Sequence, residues 1–157
     1  MAKHETTAEE ILQRIRDAGF NSHNQVSDCE ESDDEKLDRL DERVERLLNI
    51  TNQERKSTNM LFFVMYDIAH NKVRGYVAKY LIKKGCTRIQ KSIFLADLPP
   101  DSVQSIKSDL AQVQAAYDNN DSILIVPVST DEIKAMKIIG QNIDVDLITR
   151  NRNTLFF

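Results

Sequence analysis

Asp67 is the residue of this chain best placed to do chemistry. It closes the most apolar run in the sequence, Met60-Leu-Phe-Phe-Val-Met-Tyr66. A carboxylate at the end of a buried strand can hold a hard divalent cation, because Mg²⁺ takes only one or two protein carboxylates and fills its octahedron with water and phosphate oxygens. One aspartate per chain is a thin ligand set, but two copies of Asp67 meeting in a symmetric dimer could share an ion. The same residue type also serves as a helix N-cap, and the sequence leaves both readings open. His70, three residues on, reads either as a general base or metal ligand or as an exposed loop residue. Arg74, Arg88, Lys72, Lys79, Lys83, Lys84 and Lys91 can position phosphates without reading base sequence, or form a solvated helix face. Exposed aromatic rings interleaved with these cations, as single-strand binders use, are not evident. Cys86 reads as a small packed residue rather than a nucleophile, and Ser92 has no triad partners.

These residues need elements to hold them. The Met60 run is short, continuously apolar and rich in branched and aromatic residues, which predicts a strand buried on both faces. Asn71 to Lys84 predicts a helix, with Val73, Val77, Tyr80 and Leu81 toward one face and Gly85 as its stop. Thr87 to Leu98 predicts one bent strand or two short paired ones. Pro99-Pro100 opens a helix running to about Tyr117, with a stripe of Val103, Ile106, Leu110, Val113 and Tyr117. Ser122 to Val128 is a strand in which Pro127 calls for an edge or a bulge on one side. A short helix, about Thr130 to Ile138, and a strand, Ile143 to Ile148, follow. The order β-α-β-β-α-β defines an α+β, ferredoxin-like fold with an extra C-terminal strand. With one helical layer, the other sheet face is expected to be bare, and a bare apolar face seeks a partner, here a second copy sheet against sheet.

Upstream lies a helical N-terminal extension, residues 1–59. Thr7 to Phe20 predicts a short amphipathic helix with capping-box spacing between Thr7 and Glu10. Residues 21–36 are polar and acidic and read as a flexible linker. Glu35 to Glu54 predicts a second helix, on which Leu37, Leu40, Val44 and Leu47 either pack on the chain's own domain or pair with another chain. The domain boundaries expected are 1–59, 60–138 and 139–157. Charge divides at the same point: residues 1–59 carry 15 acidic against 9 basic groups, a net of −6, and residues 60–157 carry 10 against 12, a net of +2, which together make the −4 of the whole. That contrast suggests that the extension covers a basic surface or sheet edge, or meets a partner.

The 157 residues are enough for one domain with an appendage. Two cysteines are too few for a disulfide framework or a four-cysteine zinc site. No apolar run nears the roughly 18 residues a membrane helix needs, and the N-terminus lacks the apolar stretch of a secretory signal. A cytoplasmic location is the expectation.

Four segments in order resemble one known family. Leu61-Phe-Phe-Val-Met-Tyr-Asp-Ile68, then Arg74, then Gly85-Cys-Thr-Arg-Ile-Gln-Lys-Ser-Ile-Phe94, then Asp121-Ser-Ile-Leu-Ile-Val-Pro-Val128 look like the CRISPR-associated Cas-two family, over about residues 60–148. The resemblance implies a ferredoxin-like homodimer that works with the Cas-one integrase in capturing DNA fragments as spacers, bridging the integrase and binding duplex DNA (the prespacer). It also implies metal-dependent nuclease activity on RNA or DNA in some members, with Mg²⁺ or Mn²⁺ at Asp67. By motif position it brings Tyr66, Arg74, Arg88, Ser92 and Phe94 to the cleft. This chain departs from the family pattern at Ala69-His70-Asn71-Lys72 and at Tyr76, where acidic or arginine residues are frequent. Met60 falls at an ordinary domain start, and it is a candidate internal start of translation. A toxin-like ferredoxin-fold ribonuclease outside CRISPR is the alternative reading.

Overall fold

Strand β1 (Met60–Asp67) is the axis of the fold. It lies between two antiparallel neighbours, β3 (Ile93–Leu98) and β4 (Ser122–Pro127), and β2 (Thr87–Gln90) extends the sheet beyond β3 to give the order β2-β3-β1-β4. The computed structural model describes residues 9–10, 13–14, 37–116, 119–140 and 143–146. Most of the expected helix at 7–20, the expected linker at 21–36, Tyr117 and the C-terminal tail lie outside the described residues. Glu9, Glu10, Gln13 and Arg14 are helical.

Side chains alternate across a strand, and β1 uses both sides. Phe62, Val64 and Tyr66 enter one core with α2 (Asn71–Lys83) and α3 (Pro100–Ala115), alongside Val73, Val77, Leu81, Phe94, Ile106 and Leu110. Leu61 and Phe63 enter a second core with Ile89 and Leu95. The unbroken apolar run therefore reports burial on both faces.

The second face is not bare, contrary to expectation. Helix α1 (Leu40–Asn52) lies across it, burying Val44, Leu47 and Thr51, and Ile133 of the short α4 (Thr130–Lys134) completes the same cluster. The described part of the extension, α1, thus meets an apolar sheet face, and of the two readings of the Leu37–Leu47 stripe, packing on its own domain is the one observed. Arg43 donates to the carbonyl of Ile89 at 2.8 Å. Ile89 is the extra residue of a bulge between Arg88 and Gln90, so its carbonyl is free of the ladder and the guanidinium supplies a partner. The coil after α1 is pinned by Arg55, which grips both carboxylate oxygens of Asp97 at 3.0 Å.

Local chemistry sets the ends of the elements. Gly85, at φ +93°, takes the left-handed turn that stops α2. Thr87 to Leu98 is two strands in a hairpin turning at Lys91-Ser92. Pro127 ends β4, a sheet edge, as its missing donor requires. The helix expected to about Ile138 stops at Lys134, and Lys137–Gly140 is instead strand β5, paired with β6 (Ile143–Asp146) in a two-stranded hairpin. A capping box of Ser129 and Glu132 starts α4, but branched Ile138-Ile139 followed by Gly140 favours extended chain. No helix among the described residues is long and apolar enough to cross a membrane.

Candidate functional site

The end of β1, the β2–β3 turn and the start of β4 converge on an open pocket of about 460 Å³, lined by Tyr66, Asp67, Lys91, Ser92, Ser122 and Leu124 among others. Asp67 is the last residue of its strand and faces Ser122 across the ladder. Its side chain is exposed, and no hydrogen bond or ion pair engages its carboxylate among the described residues. The N-cap of α2 is His70, not Asp67. Of the two readings of this aspartate, helix capping is therefore not the one the fold uses.

Arg88 and Arg74 do not line the pocket but hold chain segments beside it. Arg88 donates from Nε and Nη2 to the carbonyl of Lys91, at 3.3 and 2.8 Å, and its guanidinium lies 5.7 Å from the centre of the Phe94 ring. It holds the β2–β3 turn against the sheet. Arg74 donates to the carbonyl of Ile68 at 3.4 Å and to Asn71 Oδ1 at 2.7 Å, tying down the chain that leaves Asp67. Tyr66 donates its amide to the carbonyl of Ser92 at 3.1 Å and stacks on Phe94, with ring centres 6.1 Å apart. Tyr66 and Ser92 line the pocket beside Asp67, and Arg88 and Phe94 contact that lining from outside it.

Asp121 was not singled out as a functional residue from the sequence. Its Oδ1 accepts from the amide of Ala69 at 3.0 Å, joining the loop after Asp67 to the start of β4. The only sequence signal was a polar turn, Asp118 to Asp121. His70 is half-buried with its Nδ1 enclosed and unpartnered.

No group of three or more His, Cys, Asp or Glu side chains that could hold a metal occurs among the described residues. One chain offers a divalent ion a single free carboxylate with hydroxyls nearby. Such a set suits a hard cation only where water and phosphate complete the shell.

The lysines divide. Lys72, Lys79 and Lys83 are exposed on α2, and their spacing of seven and four puts them on one stripe about 16 Å long. That stripe lies on the helical side of the sheet, away from α1. Lys91 is exposed at the pocket mouth. Lys84 is engaged otherwise: its Nζ is 3.3 Å from Ser105 Oγ, 3.8 Å from Asp109 and 5.4 Å from the centre of the Tyr80 ring. Tyr80 in turn donates to Asp109, and burial together with that carboxylate pushes its phenol well above the usual range.

The domain around this pocket matches a known family. The model of the CRISPR-associated protein Cas2 family aligns with residues 60–136, from the first residue of β1 to just past α4. A "CRISPR-associated endoribonuclease Cas2 1" of Archaeoglobus fulgidus is 30% identical over 89 residues, 57% of this chain and 92% of the relative. The chain belongs to the Cas2 family. A "CRISPR-associated endonuclease Cas1/endonuclease Cas2 fusion" of Thermoproteus tenax is 38% identical over 60 residues, 38% of this chain but only 23% of the fusion. The chain therefore spans under a quarter of that relative. Helix α1 and the β5–β6 hairpin fall outside the family match, although α1 shares a core with the matched sheet.

Proposed function

We propose that this Cas2-family chain is a spacer-acquisition adaptor: a homodimer that holds duplex DNA and docks the Cas1 integrase. The observation carrying this reading is the α2 stripe of Lys72, Lys79 and Lys83, exposed along one helix in a chain whose net charge is negative. Cations in a row suit a phosphate backbone and read no base sequence. The printed name of the Thermoproteus relative joins a Cas1 endonuclease to a Cas2 endonuclease in one polypeptide, which supports Cas1 as the partner. Family membership favours this setting over a toxin-like ribonuclease outside CRISPR.

Nuclease activity on RNA or DNA is the second reading, favoured by the exposed, unengaged carboxylate of Asp67 at the pocket. Two copies of Asp67 would hold one Mg²⁺ or Mn²⁺ between them, and such an ion supplies activated water and stabilises charge developing on a phosphodiester. Arg74 and Arg88 keep the flanking loops in place through Ile68, Asn71 and Lys91. Tyr66 and Phe94 brace the strand ends by stacking.

The test compares the full chain with Asp67→Ala. Each is titrated with fluorescent duplex DNA and with Cas1 protein, then incubated with single-stranded RNA and duplex DNA in Mg²⁺ or chelator. The adaptor reading expects duplex and Cas1 binding unchanged in the variant. Metal-dependent cutting abolished in the variant assigns catalysis to Asp67. Absence of duplex binding by the dimeric wild type would sink the adaptor.

A further inference from the structure

A second groove, of about 330 Å³, lies where α1, the sheet and the chain at 136–139 meet. Three parts of the fold supply its lining: Arg43 from α1, Phe63 and Ile93 from the sheet, and Met136 and Ile138 from the chain entering β5. Phe63 is buried in the second core, and Ile93, Met136 and Ile138 are partly buried against it. The groove is thus formed by packing that the fold needs in any case. Its size and its mainly apolar lining with a few polar groups are those of a small-molecule site. Gln90 and Ile93 also line the Asp67 pocket, so the two cavities share a wall. Asp67, Ser92 and Ser122 are absent from this second lining, and its chemistry is different.

The charge in the groove is one-sided. Arg43 and Lys137 line it and no aspartate or glutamate does, in a chain whose net charge is −4. Arg43 is only partly used by the protein itself. Its Nη1 donates to the Ile89 carbonyl at 2.8 Å. Its Nε is enclosed and has no acceptor, and Nη2 makes no hydrogen bond among the described residues. The edge of the guanidinium made by Nε and Nη2 is therefore left over. Such an edge carries two parallel N–H groups, the geometry that grips both oxygens of a carboxylate. An enclosed donor without an acceptor penalises the empty groove, and a ligand oxygen would remove that penalty.

We propose that this groove binds a small apolar carboxylic acid, with its carboxylate on the Nε–Nη2 edge of Arg43 and its hydrocarbon body along Phe63, Ile93, Met136 and Ile138. One planar edge matches two oxygens and one charge. A phosphomonoester would bring three oxygens and a charge of about −1.5 to −2 into the same apolar enclosure. The body is apolar because every lining side chain other than Arg43, Gln90 and Lys137 is a hydrocarbon or a thioether. Exposed Lys137 adds attraction at the rim without fixed geometry. Arg43, Lys137 and Ile138 all lie outside the family match at 60–136, so the site belongs to what this chain adds to the matched domain. It stands independently of the duplex-binding and nuclease readings.

The test titrates the full-length chain with octanoate, with octanol and with butyrate by isothermal calorimetry, and maps each ligand by amide resonances of the isotope-labelled protein. Octanoate is expected to bind one site per chain and to move amides at Arg43, Gln90, Ile93 and 136–139. Octanol lacks the charge and butyrate the body; each is expected to bind at least about tenfold more weakly, the change that 1.4 kcal/mol produces. Arg43→Met keeps the apolar stem and loses the guanidinium. It is expected to weaken octanoate about tenfold and leave octanol unchanged, a split that mere loosening of the groove would not give. Met136→Trp fills the groove with Arg43 intact and is expected to abolish binding of both. Equal octanoate affinity in wild type and Arg43→Met overturns the proposal. So does loss of both ligands by Arg43→Met, because the guanidinium is then a strut of the groove and not its recognition group. Shifts centred on the exposed Leu124 and Val126 of β4, or no saturable binding by the wild type at millimolar octanoate, overturn it as well.

Discussion

Cys86 follows the glycine that stops α2 and is 5% exposed. Burial pushes its thiol from 9.0 up to about 11. Below pH 9 the thiol is protonated in both folded and unfolded chains, and its contribution is complete. Between 9 and 11 the unfolded chain releases its proton first, so stability falls as pH rises, by about 1.4 kcal/mol per unit. Urea unfolding at pH 8, 9 and 10 should show this slope, and Cys86→Ala should flatten it whatever packing the substitution loses. The phenol of Tyr80 is raised too, by burial and then by Asp109, and its part of the slope begins nearer pH 10, which separates the two. The sequence made Cys86 legible as a packed residue and Asp67 as the end of a strand. It did not reveal that Arg88 is spent on its own turn. That depends on a bulge at Ile89, which aims the guanidinium at the Lys91 carbonyl, and a bulge leaves no mark in an apolar–polar pattern.

Gly85 and Leu47 hold the positions of whole elements. At φ +93° an L side chain is strained, although a Cβ on Gly85 would meet only Leu98 Cδ2, at an ordinary 3.6 Å. The cost of Gly85→Ala is therefore backbone strain of about 1–2 kcal/mol, read as a lower midpoint in chemical denaturation with an unchanged slope. Leu47 is fully buried between α1 and the sheet. Leu47→Ala should cost about 2–5 kcal/mol if α1 unfolds together with the sheet. A smaller cost, with α1 amides exchanging ahead of the sheet, marks α1 as a separate local unit. Hydrogen exchange on the variant distinguishes the two. The apolar pattern was enough to place β1, α2, α3 and β4: β1 is apolar throughout and buried on both faces, each helix buries a stripe, and β4 alternates exposed and half-buried positions. It failed at Lys137 and Ile138, read as the end of a helix but lying in β5, which pairs with β6. It also could not say that α1 covers the second sheet face, since that packing joins residues more than forty positions apart, such as Arg43 and Ile89.

Over the whole molecule, charge is arranged by segment and by face. Residues 1–59 carry the acidic surplus and residues 60–157 a small basic one. The α2 stripe and α1 lie on opposite sides of the sheet, so α1 does not mask the lysines. Duplex affinity on this arrangement is a matter of counterion release, and the logarithm of the binding constant falls linearly with the logarithm of salt, with a slope of about −0.9 per phosphate neutralised. Lys79→Ala and Lys72→Ala should each make that slope shallower by about one, equally for duplexes of unrelated sequence. Lys84→Ala is the internal control. Its ammonium is held by Ser105, Asp109 and the Tyr80 ring, so it should leave the slope unchanged although it removes the same formal charge. Fluorescence anisotropy between about 50 and 300 mM salt measures all three. A loss shared equally by Lys84→Ala would mean that only net charge matters and that α2 is not the duplex-facing surface. A loss confined to Lys72 and Lys79 would place the DNA along α2, on the far side of the sheet from the helix that covers its other face.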